Sequence, residues 1–254
     1  MSSVSAVSNN LATNYQRLSS GSKINSAADN ASGLAIAEKE EQQIRGTDQG
    51  TENAKQSKAL FNVSDSALST ITDYLQRIRE LAVQSINGTN SDSDKSAIQK
   101  EIDQLKEGIA DVAGNTKYNE TKPLDGSVSS LNTVTGADGS STTASLPNMT
   151  LEALGLEDFD ITGEFSLDTI DSALEQVSSA RSSLGATVNA LDYTELYNQE
   201  ASMNLTEASN GLTLEDYVES SSELKKNTML QDAQFIMQKN QQDAEEQKVQ
   251  NFFI

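Results

Sequence analysis

Both prolines of this chain, Pro123 and Pro147, lie near its middle. The two long flanks are therefore free of the residue that most strongly interrupts helices. Between residues 119 and 164 the sequence is rich in Gly, Ser, Thr, Asn and Asp, a composition typical of turns and short strands. The sequence predicts two helical flanks around a short non-helical central segment.

Apolar residues in both flanks recur at alternating spacings of three and four, the period of a helix face that packs in a bundle. The first seam is Phe61, Leu68, Ile71, Leu75, Ile78 and Ala82, widened by Leu60, Val63, Ala67, Tyr74 and Leu81. After a polar break at residues 87–92, the second seam is Ile98, Ile102, Leu105, Ile109 and Val112. Beyond the central segment, the third seam is Ile170, Leu174, Val177, Leu184, Val188 and Leu191. A weaker fourth pattern follows a break at Asn210-Gly211 and consists of Leu214, Val218, Leu224, Met229, Ala233 and Ile236.

Neither flank has enough partners to bury its own apolar faces, so we expect the two flanks to pack on each other. The predicted fold is mainly α: an elongated helical bundle formed by the N- and C-terminal flanks, with a small β hairpin or loop projecting as a tip. Arg181 falls within the third seam, where we expect its stem to lie on the bundle and its head to stay in water. Residues 1–125 alone should form a poorly ordered chain.

The residue types that are absent exclude several kinds of chemistry. Without Cys or His, the chain lacks nitrogen and sulfur ligands for zinc, thiol nucleophiles and imidazole bases. We therefore expect no enzyme, no metal and no cofactor, and the remaining alternative is a carboxylate-based hydrolase in the central segment. The net charge of −20 also opposes binding to nucleic acid or to an anionic membrane.

The N-terminal residues show no basic region followed by an apolar stretch, and the sequence contains no apolar run long enough to span a bilayer. If the protein is exported, we expect it to leave the cell without a cleaved signal peptide.

Three blocks carry a resemblance to a known family. They are RLSSGSKINSAADNASGLAIAE at 17–38, LQRIRELAVQSINGTNS at 75–91 and SARSSLGATVNAL at 179–191. In this order they closely resemble the signature segments of bacterial flagellins, and a weaker match continues from Leu214 to the end. The resemblance covers both flanks and leaves only the central segment unmatched.

The resemblance implies an extracellular structural subunit of the flagellar filament that supports motility and polymerises with other copies. It implies that residues 1–31 and 212–254 form inner-shell helical segments, the D0 part of a flagellin. Residues 32–118 and 165–211 would form the surrounding D1 bundle, with 119–164 facing outwards. It also implies unfolded export through the flagellar type III apparatus, with a chaperone holding the C-terminal segment beforehand.

Some flagellins bind Toll-like receptor 5 through the Arg-Glu-Leu helix and the helix after the following loop. The positions of this chain that match the motif are Arg77, Leu81 and Glu101, with Gln76 and Glu80 beside them. The resemblance implies that these five residues contact the receptor or a neighbouring subunit. Because Arg77 and Leu81 are four residues apart, we expect them to share a helix face.

The sequence departs from the family pattern at both ends. It begins close to the RLSSG motif, and the C-terminal helix carries Asp243, Glu245 and Glu246, whose burial in a packed inner tube would be costly. Asn210 and Gly211 stand where flagellins usually carry arginine. The alternatives are a hook-filament junction protein, or a secreted flagellin-like subunit that polymerises poorly and signals weakly.

Overall fold

The computed structural model describes residues 2–252. Its five helices in this range are α1 (Ser2–Ser20), α2 (Ala27–Ser85), α3 (Asp92–Asn115), α4 (Leu167–Thr213) and α5 (Tyr217–Phe252). Strands β1 (Ser130–Val134) and β2 (Ser141–Ser145) pair antiparallel between α3 and α4, with Leu131 opposite Ala144. The predicted fold class, mainly helical with a β hairpin in the central segment, is confirmed. Met1, Phe253 and Ile254, which belong to the predicted terminal segments, lie outside the described residues.

The chain divides into two compact units, residues 1–43 with 203–254, and residues 44–202. Each unit contains residues from both the N-terminal and the C-terminal flank. The predicted pairing of the flanks therefore holds within each unit. The assignment of 1–31 and 212–254 to an inner shell, and of 32–118 and 165–211 to a surrounding one, stays a prediction.

The core of unit 44–202 is built from the first three seams. In the first seam, five side chains have no exposed surface: Leu68, Ile71, Leu75, Ile78 and Ala82. Ile102 and Ile109 of α3 and Ile170 and Val177 of α4 are equally buried. A fully buried Leu or Ile side chain contributes about 1.5–3 kcal/mol of hydrophobic free energy, so this shared core holds the two flanks together.

Ion pairs join α2 to α4 along the same interface. Arg79 Nε lies 2.7 Å from Asp171 Oδ1, and Arg181 Nε lies 2.8 Å from Asp65 Oδ1. Lys58 binds Asp192 and also Glu195. Positions 58, 65 and 79 differ by multiples of seven and so follow one face of α2. Their partners come in the reverse chain order, as expected for an antiparallel pair of helices. The Arg181 head, which is half-exposed, reaches the surface as predicted.

The central segment packs against the bundle. A Cβ atom built at Gly50 of α2 would lie only 2.0 Å from the Thr135 carbonyl oxygen, so the hairpin turn touches the α2 backbone. The Thr135 carbonyl also accepts a hydrogen bond of 2.7 Å from Asn198 Nδ2 of α4. Several apolar residues of the segment are buried in the same core: Leu124, Ala144, Leu146, Met149, Leu154, Leu156, Phe159 and Ile161. The expectation of a projecting tip is therefore wrong, because this segment has enough apolar surface to cover the bundle.

Two backbone features explain the first family block at the start of the chain. Gly21 has a φ of +70°, a conformation that favours glycine, and its N–H donates to the Arg17 carbonyl to end α1. Within α2, Asn30 is non-helical, and its side-chain oxygen accepts a hydrogen bond of 2.9 Å from the Gly33 N–H. Asn30 therefore acts as an N-cap at which the helix starts again.

The two flanks also meet by backbone hydrogen bonds in unit 1–43 with 203–254. Lys23 N–H donates to the Thr213 carbonyl at 2.8 Å, and Glu215 N–H donates to the Gly21 carbonyl at 3.0 Å. The break predicted at Asn210-Gly211 lies slightly later, at residues 214–216, since α4 continues through both residues to Thr213 and α5 begins at Tyr217. The Gly211 carbonyl accepts a hydrogen bond from Lys23 Nζ, so this position contacts the N-terminal flank through its backbone.

The fourth seam is wrong as a buried stripe. Val218 is 79% exposed, Met229 70% and Ile236 58%. Helix α5 packs against α1, and Ser220 is its one buried residue among those whose side chains are described. The apolar residues of α5 are too widely spaced to form a single line at helical period, and several of them are exposed on this subunit. Among the described residues, no helix is both long and apolar enough to cross a membrane.

Candidate interaction surface

The sequence-predicted contact residues come together at the α2–α3 hairpin, with one exception. Arg77 of α2 donates to Glu101 of α3 from two nitrogens, Nη2 at 2.8 Å and Nε at 3.2 Å, and its Nη1 lies 3.1 Å from Glu80 Oε2. Gln76 is exposed beside them. We call the exposed cluster of Gln76, Arg77, Glu80 and Glu101 the Arg77 surface.

Leu81 is the exception. Its side chain is only 2% exposed and belongs to the hydrophobic core of unit 44–202. The expectation that Leu81 and Arg77 share an exposed face is wrong, because the spacing of four residues places Leu81 on the edge of the broad buried stripe. In this structure Leu81 supports the helix from beneath the Arg77 surface.

The loop that joins the two helices fixes the position of Glu101 relative to Arg77. Ser91 and Asp94 form a capping box at the start of α3: the Asp94 N–H donates to Ser91 Oγ, and the Ser91 N–H donates to the Asp94 carboxylate. The hydrogen bond from the Ser91 side chain is the main reason why the pKa of Asp94 lies below its ordinary value. The negative charge also suits the helix N-terminus.

The charged side chains of the Arg77 surface fix one another's positions through hydrogen bonds. The hydrogen bond to Glu101, and then that to Glu80, raises the pKa of Arg77, so the guanidinium stays charged. The groups are exposed, and an ion pair in water contributes little to stability. The arrangement therefore presents a fixed cation with a carboxylate on each side to an approaching partner.

Sequence reasoning missed two further exposed features of unit 44–202. Val83 and Ile86, near the end of α2, are 47% and 57% exposed. Tyr193, Leu196 and Tyr197 of α4 are more exposed still, at 75%, 62% and 71%. The second group lies just beyond the third seam, and its spacing of three and four could have revealed a second helix face.

Comparison with protein families gives two matches. Residues 1–129 match the bacterial flagellin N-terminal helical region, and residues 167–253 match the bacterial flagellin C-terminal helical region. The chain belongs to the bacterial flagellin family. The unmatched residues between the two regions, 130–166, begin at the first residue of β1 and end one residue before α4.

Similar proteins agree with this assignment. A flagellin of Halalkalibacterium halodurans is 38% identical over 236 residues, which cover 89% of this chain and 87% of that protein. The flagellar filament 33 kDa core protein of Treponema phagedenis is 36% identical over 238 residues, covering 85% of this chain and 83% of the relative.

Solved structures show a similar fold. Bacillus cereus flagellin is similar with a TM-score of 0.52 and 25% identity, covering 58% of this chain and 88% of that one. A putative flagellar hook-associated protein of Vibrio parahaemolyticus gives a TM-score of 0.61 at 15% identity over 73% of this chain and 100% of its own, which shows the fold alone.

This flagellin is a structural subunit of the bacterial flagellar filament and serves motility. It associates with other flagellin subunits and is exported to the outside of the cell, as members of a structural filament family are.

Proposed function

We propose that the Arg77 surface of this flagellin is a recognition surface, contacted by a neighbouring subunit in the filament and by Toll-like receptor 5 on the free subunit. The supporting observation is that Arg77 is half-exposed and is held between Glu80 and Glu101 by three hydrogen bonds. An arginine whose geometry is fixed before binding loses less side-chain entropy when it contacts a partner. Gln76 extends the surface, and Leu81 acts only as its support.

Binding of the receptor ectodomain to single variants tests this proposal. We expect Arg77→Ala to weaken binding by about tenfold or more, as for an arginine at the centre of an interface. Arg79→Ala is the matched control, because Arg79 is exposed on the same helix but pairs with Asp171 of α4. If Arg77→Ala binds as tightly as the parent chain, or if both variants weaken equally, the proposed surface is wrong.

We further propose that residues 1–31 and 212–254 form the inner shell of the filament, 32–118 and 165–211 the surrounding shell, and that 119–164 faces outwards. The exposed apolar side chains of α5 support this assignment, since Met229, Phe235 and Met237 are each about 70% exposed in the single subunit. In water, exposed apolar groups of this number favour burial against other chains. Asp243, Glu245 and Glu246 are exposed as well, and they oppose tight packing.

The same exposed helix supports a chaperone site. We propose that a flagellar export chaperone covers the C-terminal segment, 212–254, before unfolded export without a cleaved signal peptide. A chain lacking residues 217–254 should lose binding to the chaperone of its export system, measured by co-purification from the cytosol. Loss of export with chaperone binding intact would contradict this location of the site.

We propose that this flagellin acts without catalysis and without a cofactor, as a structural subunit. The two alternatives, a hook-filament junction protein and a secreted subunit that polymerises poorly, predict different results in cells that lack their own flagellin. Long filaments made from this chain alone would support the filament role. Capped hooks without filaments would favour the junction protein, and monomers in the medium would favour the poorly polymerising subunit, whose receptor signalling should be weak.

A further inference from the structure

An aromatic patch lies on α4, on the side opposite the buried residues Leu191 and Asn198. It consists of Tyr193, Leu196 and Tyr197, which are all exposed by more than 60%. At 100° per residue these three side chains point within about 100° of one another. Single exposed apolar residues are common, but a contiguous patch of aromatic and aliphatic side chains is typical of an interaction site.

A groove lined by apolar and polar residues lies elsewhere in the same unit. Four residues of α2, Val63, Ser66, Ala67 and Thr70, line this shallow open groove together with Val112 and Asn115 of α3 and with Thr116 and Lys117 just beyond that helix. Val63 is 38% exposed, although it belongs to the first seam, because this groove leaves it uncovered. We call this feature the α2–α3 groove.

We propose that the aromatic patch of one subunit docks in the α2–α3 groove of a second copy of this chain. This inference rests on the polymerisation of the flagellin and specifies which faces meet. A contact between two different faces of the same protein repeats from copy to copy, which is what a filament requires.

Charge supports this pairing over contact of the patch with itself. Glu200, one helical turn from Leu196 and Tyr197, is exposed at the edge of the patch, and Lys117 is an exposed residue of the groove lining. Within the part of the chain that the structure describes, neither residue is engaged in an ion pair. Docking of the patch in the groove offers Glu200 a partner of opposite charge, whereas contact of the patch with itself offers no cation within the patch.

The surface area that this contact would bury is that of one interface among several in a polymer. Burying two tyrosines and a leucine removes on the order of 400 Å² of surface from each partner. A stable complex of two proteins buries about 800 Å² per partner. The patch therefore should not form stable dimers alone but should strengthen assembly when other contacts hold the subunits together.

Charge reversal tests the pairing in assembling protein. We expect Glu200→Lys or Lys117→Glu to raise the critical concentration for filament formation about two- to fivefold, as expected for an exposed ion pair. The double variant should return it towards the parent value. Glu175→Lys and Lys100→Glu, at exposed positions of α4 and α3, are matched controls and should show no mutual rescue. Absence of rescue in the Glu200–Lys117 pair would overturn the proposed contact.

Cross-linking tests the faces directly, since the chain contains no cysteine. Chains carrying Tyr197→Cys and chains carrying Ser66→Cys should form a mixed disulfide dimer when they are assembled together and oxidised. Ser178→Cys in place of Tyr197→Cys is the control, because it lies about 28 Å away along α4. Filaments without the mixed dimer, or a Tyr197→Cys homodimer in excess, would overturn the proposal while leaving the filament function intact. Absence of filaments in micrographs of the parent chain together with absence of the dimer would overturn both.

Discussion

Replacing Gly50 by alanine tests how the central hairpin is attached to the bundle. The added Cβ would lie 2.0 Å from the Thr135 oxygen and 2.5 Å from its carbonyl carbon, both backbone atoms that no side-chain rotation can move. The hairpin turn must therefore shift away from α2. Because the same oxygen accepts the hydrogen bond from buried Asn198, the shift also threatens that interaction.

The expected cost follows from three terms. Overpacking costs about 1–3 kcal/mol, and a buried amide left without its partner costs about 1–3 kcal/mol. The better helix propensity of alanine offsets about 1 kcal/mol of this loss in stability. The net loss is about 3 kcal/mol, which for a chain of this length lowers the melting temperature by about 6–12 °C.

Thermal unfolding of the unassembled subunit, followed by far-UV circular dichroism, measures this effect. Gly185→Ala is the matched control, since Gly185 lies within α4 and a Cβ there meets no atom within 4 Å. That variant should melt at the parent temperature or slightly above it. A Gly50→Ala chain that is as stable as Gly185→Ala would refute the close packing of the hairpin turn on α2.

Three further predictions concern the helices. Leu81→Ala should destabilise the subunit by about 2–5 kcal/mol in chemical denaturation, whereas a variant at an exposed neighbour should leave the unfolding midpoint unchanged; equal effects would contradict the burial of Leu81. Ser91→Ala should cost about 1 kcal/mol through loss of the α3 cap. Because the folded pKa of Asp94 is lowered below 3.8, its contribution to stability is present above about pH 4 and is lost as the pH falls through the folded value. Ser91→Ala should therefore flatten the pH dependence of the melting temperature in that range, and an unchanged profile would contradict the capping box. Residues 1–125 alone should show no cooperative thermal transition, because their seams lack α4; a sharp transition would contradict the pairing of the flanks.

The three strong seams could be predicted because heptad spacing constrains which residues of a helix face inwards. The pairing of α2 with α4 followed from the same pattern, since the N-terminal seam had more apolar surface than its own flank could cover. The ion pair between Arg181 and Asp65 could not be predicted, because the two residues are 116 positions apart and periodicity does not fix the register between helices.

Three expectations failed for physical reasons that cannot be read from the sequence. Leu81 matched a family contact motif, but its position on the edge of a broad stripe places it in the core. The apolar residues of α5 suggested a seam, although side chains such as Met229 remain exposed on a single subunit and depend on contacts outside it. The expectation of a projecting tip failed because the hairpin turn meets α2 at Gly50 through the close approach of two backbones, which leaves no periodic signal.

The Arg77 surface was predicted from a motif match, and only part of its geometry from helical spacing. The two carboxylates that hold Arg77 lie on two different helices, so their meeting depends on the loop at residues 86–91 and on the Ser91 cap. The aromatic patch and the groove were not predicted. Tyrosine, leucine and valine are also common in cores, so their presence in the sequence does not show which of them are exposed.

Electron microscopy of the purified chain under polymerising conditions tests most directly whether this flagellin builds a filament. The paired flanks, the exposed apolar side chains of α5 and the family to which the chain belongs predict long, regular filaments. A preparation that contains folded monomers alone, at concentrations well above those at which flagellins assemble, would contradict the account.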